Sequence, residues 1–283
     1  LPFDEYWYDS ADGLRLFARV YPGPEAAAPV VLCLHGLTHN SRHFEDLARH
    51  LAPRYRVIVP DVRGRGVSAR DPNFANYQIP VYLGDVLRAL TGLGAARVTI
   101  IGTSMGGLMA MVLAQRAPQL VAGIVLNDVG PELERSGLER IRGYLGKAVP
   151  VADWAAAVAQ LRLVYGPVWP GLDAARWEQL ARASYRADAH GVLQPDFDAL
   201  IAEPLKDDAR AAPDLWPLWS ALARVPTLVL RGASSDILSE ATLARMRRAK
   251  PDLRAVTVAN RGHPPLLDEP ECRAAIDEFL ATI

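Results

Sequence analysis

The chain has 283 residues, half of them apolar, and its 31 basic and 32 acidic side chains leave a formal net charge of −1. That length and apolar fraction supply a large core, built as one domain or as one domain with an insertion. The balanced charge excludes a global field that would draw the chain to nucleic acid or to an anionic membrane surface. Two cysteines occur, Cys33 inside an apolar strand pattern and Cys272 near the C-terminus, so neither a disulfide framework nor a zinc site is expected, and a reducing cytoplasm is the expected compartment. No charged segment followed by an apolar one opens the chain; it starts LPFDEYWYDS, on Leu rather than Met, which leaves a trimmed start open.

Residues 6–9 and 14–21 are aromatic and β-branched runs around Asp12-Gly13, a hairpin signal. Residues 30–34 are continuously apolar, as in a strand buried on both faces, and end in His35-Gly36-Leu37-Thr38. Ser41 is placed to cap a helix running to about Leu51, with Glu45 and Asp46 early in it. Residues 56–60 form the next strand, and a D-x-R-G-x-G-x-S stretch follows from Asp61 to Ser68. Its glycine spacing matches neither a phosphate-binding loop nor a dinucleotide fingerprint, and it is read as a structural turn. A helix over about 79–93 comes next.

Residues 98–115, VTIIGTSMGGLMAMVLAQ, organise the rest of the chain. A β-branched run passes through Gly102-Thr103-Ser104-Met105-Gly106-Gly107 into a Leu/Met/Ala run of high helix propensity. Strand, glycine turn and helix are the context in which G-x-S-x-G marks a nucleophile elbow. The two glycines let strand and helix approach closely, and the turn holds Ser104 in a strained, exposed conformation. The helix aims its first amides at the place where an oxyanion would develop. A membrane span is excluded by the glycines and the polar turn in its middle.

Residues 121–127 are a further apolar strand, running into Asp128-Val129-Gly130-Pro131, and residues 226–231 and 254–258 are two more, separated by a helix over about 239–249. A last helix begins near Glu271. The basic cluster of Arg245, Arg247, Arg248 and Lys250 closes the former helix, where it suits the helix dipole better than a nucleic-acid surface. Alternating strands and helices predict a doubly wound, mostly parallel sheet with an antiparallel opening hairpin. Between about 131 and 222 the rhythm breaks into helices with no convincing strand. This interval carries Trp154, Trp169, Trp177, Trp216 and Trp219, five of the six tryptophans. It is expected to be a helical lid (131–222) on a core formed by 1–130 and 223–283, most of its aromatics making a small core of its own.

A serine needs a base within hydrogen-bond reach. His263, in Arg261-Gly262-His263-Pro264-Pro265, follows the last strand at the carboxyl edge of the sheet, where open α/β sheets place functional loops. His39 and His43 have the i, i+4 spacing of two zinc ligands but no H-E-x-x-H and no evident third ligand, so no metal is expected. His50 and His190 are read as surface residues. The base in turn needs an acid. Asp236, after the strand before the His263 loop, is the expected acid, and Asp128 is the alternative, with a competing role as a turn or capping residue. The backbone amides of Met105 and Leu37 are the expected oxyanion donors, with the His35 side chain bracing the loop of Leu37.

His35-Gly36, the Asp61–Ser68 stretch, the Ser104 elbow, Asp236 and the Gly262-His263 loop follow one another as in the α/β-hydrolase fold superfamily, and the chain resembles its small, lid-bearing esterase and lactonase members. The resemblance implies a cofactor-independent serine hydrolase acting on a small ester or lactone. Haloalkane dehalogenases and epoxide hydrolases of this fold carry an aspartate where Ser104 stands. The H-G-G-G loop of one lipase group is absent, because Leu37-Thr38 follows His35-Gly36, so long-chain triglyceride lipolysis is not expected. Relatives with the same residues cleave carbon–carbon bonds of β-diketone-like compounds or act as enol-lactonases, and some members serve as small-molecule receptors.

Overall fold

The computed structural model describes residues 2–145, 149–205 and 214–283. In chain order, β1 (Asp4–Asp9) and β2 (Arg15–Tyr21) form a hairpin. Then β3 (Val30–Leu34), α1 (Glu45–Leu51), β4 (Arg56–Asp61), α2 (Ile79–Gly92), β5 (Val98–Thr103), α3 (Met105–Arg116) and β6 (Val121–Asn127) alternate. Next come α4 (Arg135–Tyr144), α5 (Trp154–Tyr165), α6 (Ala174–Ser184), β7 (Tyr185–Ala187), β8 (Leu193–Pro195) and α7 (Trp216–Ala221). The chain closes with β9 (Thr227–Gly232), α8 (Glu240–Ala249), β10 (Arg254–Val258) and α9 (Pro270–Leu280).

Eight strands make one sheet in the order β1-β2-β4-β3-β5-β6-β9-β10. β2 runs antiparallel to β1 and β4, and the remaining pairs are parallel. The expected doubly wound, mostly parallel sheet with an antiparallel opening hairpin is what the chain builds.

The continuous apolar runs are explained by burial on both faces. Leu32, Ile58, Ile100, Leu126 and Val229 point to the side covered by α2, α3 and α8. Their neighbours Val31, Val57, Ile101, Val125 and Leu228 point to the side covered by α1 and α9, where Cys33 and Cys272 are also buried. Each such side chain taken fully out of water contributes about 1.5–3 kcal/mol before entropy is counted.

Two local expectations are corrected. The first turn before α1 is a 3₁₀ turn over Ser41–Phe44 capped by Asn40, not Ser41. The Asn40 side chain accepts the Arg42 amide, and the Asn40 amide donates to the His43 ring, so the Asn40 and His43 side chains close the box between them. The insertion also contains an antiparallel pair, β7 with β8. Asp188 turns it by accepting the His190 and Val192 amides, and with three residues a side no alternation could announce it.

The insertion has its own cluster, in which Trp169 and Trp177 pack with Tyr165, Tyr185, Leu161 and Leu180, and Trp154 lies against them. Trp219 is buried elsewhere, in the core beneath the sheet, and Trp216 packs against that core. Among the described residues no helix is long and apolar enough to cross a membrane.

The Asp61–Ser68 stretch is a structural knot. Asp61 accepts the Ser41 amide at 2.6 Å and the Val67 amide at 2.9 Å, and Ser68 Oγ donates to the Asp61 carbonyl at 2.6 Å. Arg63, almost wholly buried, is held by three carboxylates, Asp12, Asp71 and Asp85.

Candidate active site

Ser104 separates β5 from α3 at φ +52° and ψ −114°, a conformation that costs a non-glycine residue of order 1–3 kcal/mol and persists because its surroundings enforce it. Its amide donates to the Asn127 carbonyl at 3.0 Å, and its carbonyl accepts the Gly107 amide at 2.8 Å. A methyl group at Gly102 would strike the backbone of Gly106, and one at Gly106 would strike the Leu34 carbonyl. Only hydrogen at both positions lets the helix come this close to β3 and β5.

The registers of the parallel strands set the level at which the loops leave the sheet. Thr103 pairs with Asn127, and Asn127 with Leu230, so the residues just past β5 and β6 emerge side by side. Ser104 and Asp128 are those residues. Asp128 takes φ +58°, its amide donating to the Leu230 carbonyl at 2.7 Å.

His263 comes down between them from the loop after β10. Its Nε2 lies 2.9 Å from Ser104 Oγ and its Nδ1 lies 2.8 Å from Asp128 Oδ2. A carboxylate is acceptor-only, so Nδ1 carries the proton toward Asp128 and Nε2 turns its lone pair on the serine. The Asp128 carboxylate also accepts the Gly232 amide at 2.8 Å and the Ser235 hydroxyl at 2.6 Å, so three donors converge on it in a fully buried position. The insertion supports the histidine loop: Gly262 donates to the Val168 carbonyl at 2.7 Å, and Trp169 Nε1 donates to the Pro264 carbonyl at 2.7 Å.

Asp236, the expected acid, is therefore not the residue that meets His263. It lies further along the loop beyond Gly232 and turns to Arg140 of α4, at 2.5 Å to Nε and 2.8 Å to Nη2. Burial pushes its carboxyl up, but the hydrogen bonds and charge of Arg140 outweigh that and hold it below the ordinary carboxylate value. The structure brings together Ser104, His263 and Asp128, the alternative of the sequence reading.

The Gly36–Leu37 segment lies against the serine, a methyl at Gly36 falling 3.9 Å from Ser104 Cβ. The Gly36 carbonyl accepts His35 Nδ1–H at 2.7 Å and the His39 amide at 3.2 Å, while His35 Nε2 accepts the Val62 amide at 3.0 Å. Because the peptide is trans, fixing that carbonyl fixes the opposed direction of the Leu37 N–H. Met105, the other expected oxyanion donor, is the first residue of α3.

Arg65, read in the sequence as part of a turn, does more than that. Wholly buried, it donates from Nε to the Leu37 carbonyl at 2.9 Å and lies with Nη2 at 3.8 Å from Met105 Sδ. It touches both expected donors, and no carboxylate among the described residues pairs with it. A buried arginine beside a glycine turn carries no signal of this in one sequence.

His39 and His43 stack at 4.1 Å between ring centroids instead of turning outward as ligands. His43 donates from Nε2 to Ser184 Oγ at 3.1 Å. His50 is exposed beside Asp277, and His190 is exposed on the β7–β8 turn. Burial lowers His35 to about 3 and, with the His263 charge adding to it, His39 to about 4; burial and the His39 charge take His43 well below 6.5. Folded values below the ordinary one mean that the unfolded chain takes up protons first as the pH falls. The stability these neutral rings contribute is complete above pH 6.5 and drains away toward pH 4 and below. Between pH 6.5 and 5 each ring should cost up to about 1.4 kcal/mol per pH unit, read as a falling urea midpoint. His43→Gln, which keeps one donor and one acceptor, should flatten that slope. A midpoint constant over this range would mean the rings are charged in the folded protein.

Two adjoining hollows lie on the side of the sheet where Ser104 emerges, and one of them reaches the serine. A small one is lined by Leu37, Thr38, His39, Ser104, Tyr144, Tyr165 and His263 among others. It shares Thr38, His39, Tyr144 and Tyr165 with a cavity of about 430 Å³ that runs under the insertion. Aromatic and aliphatic side chains dominate this cavity, and Tyr165 stacks on Trp169 at 4.4 Å.

Comparison with known proteins bears on this geometry. The sequence model described as alpha/beta hydrolase fold matches residues 29–270. The chain is 33% identical over 289 residues to a 3-hydroxybutyrate-oligomer hydrolase of Cupriavidus necator, covering 95% of this chain and 94% of that one. It is 28% identical over 246 residues to a 2-(acetamidomethylene)succinate hydrolase of Mesorhizobium japonicum, covering 84% of this chain and 83% of that one. The crystal structure of an alpha/beta hydrolase from Novosphingobium aromaticivorans superposes with a TM-score of 0.93 at 44% identity, covering 99% of each chain.

Proposed function

The chain belongs to the alpha/beta hydrolase fold family and is a hydrolase, and on that premise we propose that it cleaves a small carboxylic ester or lactone through an acyl-enzyme on Ser104. The observation that carries this reading is the unbroken line Ser104 Oγ, His263, Asp128, with spacings of 2.9 and 2.8 Å. His263 Nε2 takes the hydroxyl proton as Oγ attacks the ester carbon. The carbonyl oxygen becomes an oxyanion facing the amides of Leu37 and Met105. The C–O bond breaks, the alcohol leaves with the proton from His263, and a water deprotonated by the same nitrogen then releases the acid and restores the serine. No cofactor enters this cycle. We read residues 131–222 as a lid, since Tyr144 and Tyr165 of α4 and α5 face the hollow beside Ser104.

The cavity of about 430 Å³ suits a short acyl or hydroxyacyl group. The similarity to a 3-hydroxybutyrate-oligomer hydrolase favours esters between small hydroxy acids within that range. The test is a fluorophosphonate probe followed by peptide mapping, together with stopped-flow hydrolysis of p-nitrophenyl acetate. One label per chain on Ser104 and a burst of one p-nitrophenolate per chain are expected. A label on another serine, or none, removes the acyl-enzyme reading. Binding without turnover would indicate a receptor, and turnover of diketones but not esters would indicate carbon–carbon cleavage.

A further inference from the structure

Among the described residues that line the cavity of about 430 Å³, Arg140 is the single one that carries a full charge. Its guanidinium is only partly used. Asp236 takes Nε and Nη2, while Nη1 is buried and has no hydrogen-bond partner among the described residues. A guanidinium nitrogen has donors but no acceptor, so leaving one unpaired away from water is costly, and an incoming oxygen would complete the site.

The group is rigidly backed. At Gly137 helix α4 lies so close to the Asp236 carbonyl that a methyl could not be placed between them. The Glu134 amide donates to the Ile237 carbonyl at 3.0 Å. Arg140 is thus fixed by the docking of α4 on the loop after β9. One helical turn on, Tyr144 lines both the cavity and the hollow of the serine. Arg140 thus stands one helical turn from a residue that lines the hollow of the reacting serine.

We propose that Arg140 Nη1 is a subsite for a free carboxylate on the substrate, so that the enzyme selects esters of short acids that keep one unesterified carboxylate, with Asp236 tempering the strength of the contact. This rests on the ester-hydrolase reading of the Ser104 site. A charged acceptor makes the stronger hydrogen bond, and apolar walls strengthen it further. Sharing one guanidinium among several carboxylates is something this chain does elsewhere, at Arg63 with Asp12, Asp71 and Asp85. The Asp236 carboxylate neutralises Arg140 while the cavity is empty, which spares the protein a bare buried cation.

The test compares kcat/KM for each acid with that for its methyl ester, because a general loss of activity cancels in the ratio. Two pairs are used: the linear dimer of 3-hydroxybutyrate, with its carboxylate on the alcohol side, and mono-p-nitrophenyl glutarate, with its carboxylate on the acyl side. In at least one pair the wild-type ratio should exceed about ten, as a hydrogen bond to a charged group implies. Arg140→Met should bring that ratio down about ten- to a hundred-fold, Arg140→Lys should keep part of it, and Asp236→Asn should raise it. Ratios near or below one in the wild type, or a ratio that Arg140→Met and Arg140→Lys leave unchanged, overturn the subsite while the methyl esters are still hydrolysed. Hydrolysis of neither member of either pair, with no label on Ser104, overturns the ester-hydrolase reading and the subsite with it.

Discussion

Asp128→Asn is expected to lower turnover of a neutral aryl ester about 10⁴-fold, whereas Asp236→Asn should cost about tenfold or less. In the Ser-His-Asp arrangement the acid holds the base in one tautomer and stabilises the imidazolium that forms on proton transfer. Here Asp128 accepts at 2.8 Å from His263 Nδ1. An asparagine of the same shape presents an amide that can donate where it must accept, so the ring is turned to the wrong tautomer and its charge loses a partner. A factor of 10⁴ is roughly 5.5 kcal/mol of barrier. Asp236 is bound to Arg140 and meets no atom of the histidine, so its charge acts only from a distance. Both variants should be shown to be folded, because Asp128 also accepts from Gly232 and Ser235. If Asp128→Asn stays active while Asp236→Asn is crippled, the working enzyme uses the other acid, and the loop after β9 must rearrange on binding substrate.

The sheet, the elbow and the histidine loop are legible in the sequence because their signals are local. A β-branched run, two glycines around a serine and a helix-forming run fit side by side in residues 98–115. The acid is harder, because two aspartates follow neighbouring strands on the same edge and both stand between Ser104 and His263 in the chain, so chain order does not separate them. What separates them is distance from the strand end. Asp128 directly follows Asn127, the last residue of β6, and so emerges level with Ser104 across the register, whereas Asp236 stands well past Gly232. Strand ends read from a sequence are uncertain by more than this difference. The partners of Arg140, Arg65 and the stacked His39 and His43 are set by tertiary packing and leave no mark in spacing.

Arg65→Met should reduce kcat for ester hydrolysis about a hundred- to a thousand-fold while moving KM little, the range seen when one oxyanion donor is removed. Arg65 holds the Leu37 carbonyl at 2.9 Å, donates to the Arg63 carbonyl at 2.8 Å and Tyr82 Oη at 3.1 Å, and rests 3.8 Å from Met105 Sδ. Its guanidinium lies over the Tyr82 ring at 4.9 Å and the Tyr77 ring at 5.6 Å. The residues whose amides would hold the oxyanion are thus fixed from behind by one buried cation, whose field also favours the negative charge that develops on attack. Methionine fills much of the volume but neither orients the Leu37 peptide nor supplies the field. Lysine restores the charge without the planar fork and should recover only part of the rate. Arg65 is a positioning residue, and a purely structural role would look different. Melting would fall, but the folded fraction would turn over normally and bind a trifluoromethyl ketone as before. The expectation is that affinity for the ketone falls in step with kcat while product inhibition is unchanged. A folded Arg65→Met enzyme with full kcat would show that the Leu37 and Met105 backbones hold their geometry without it.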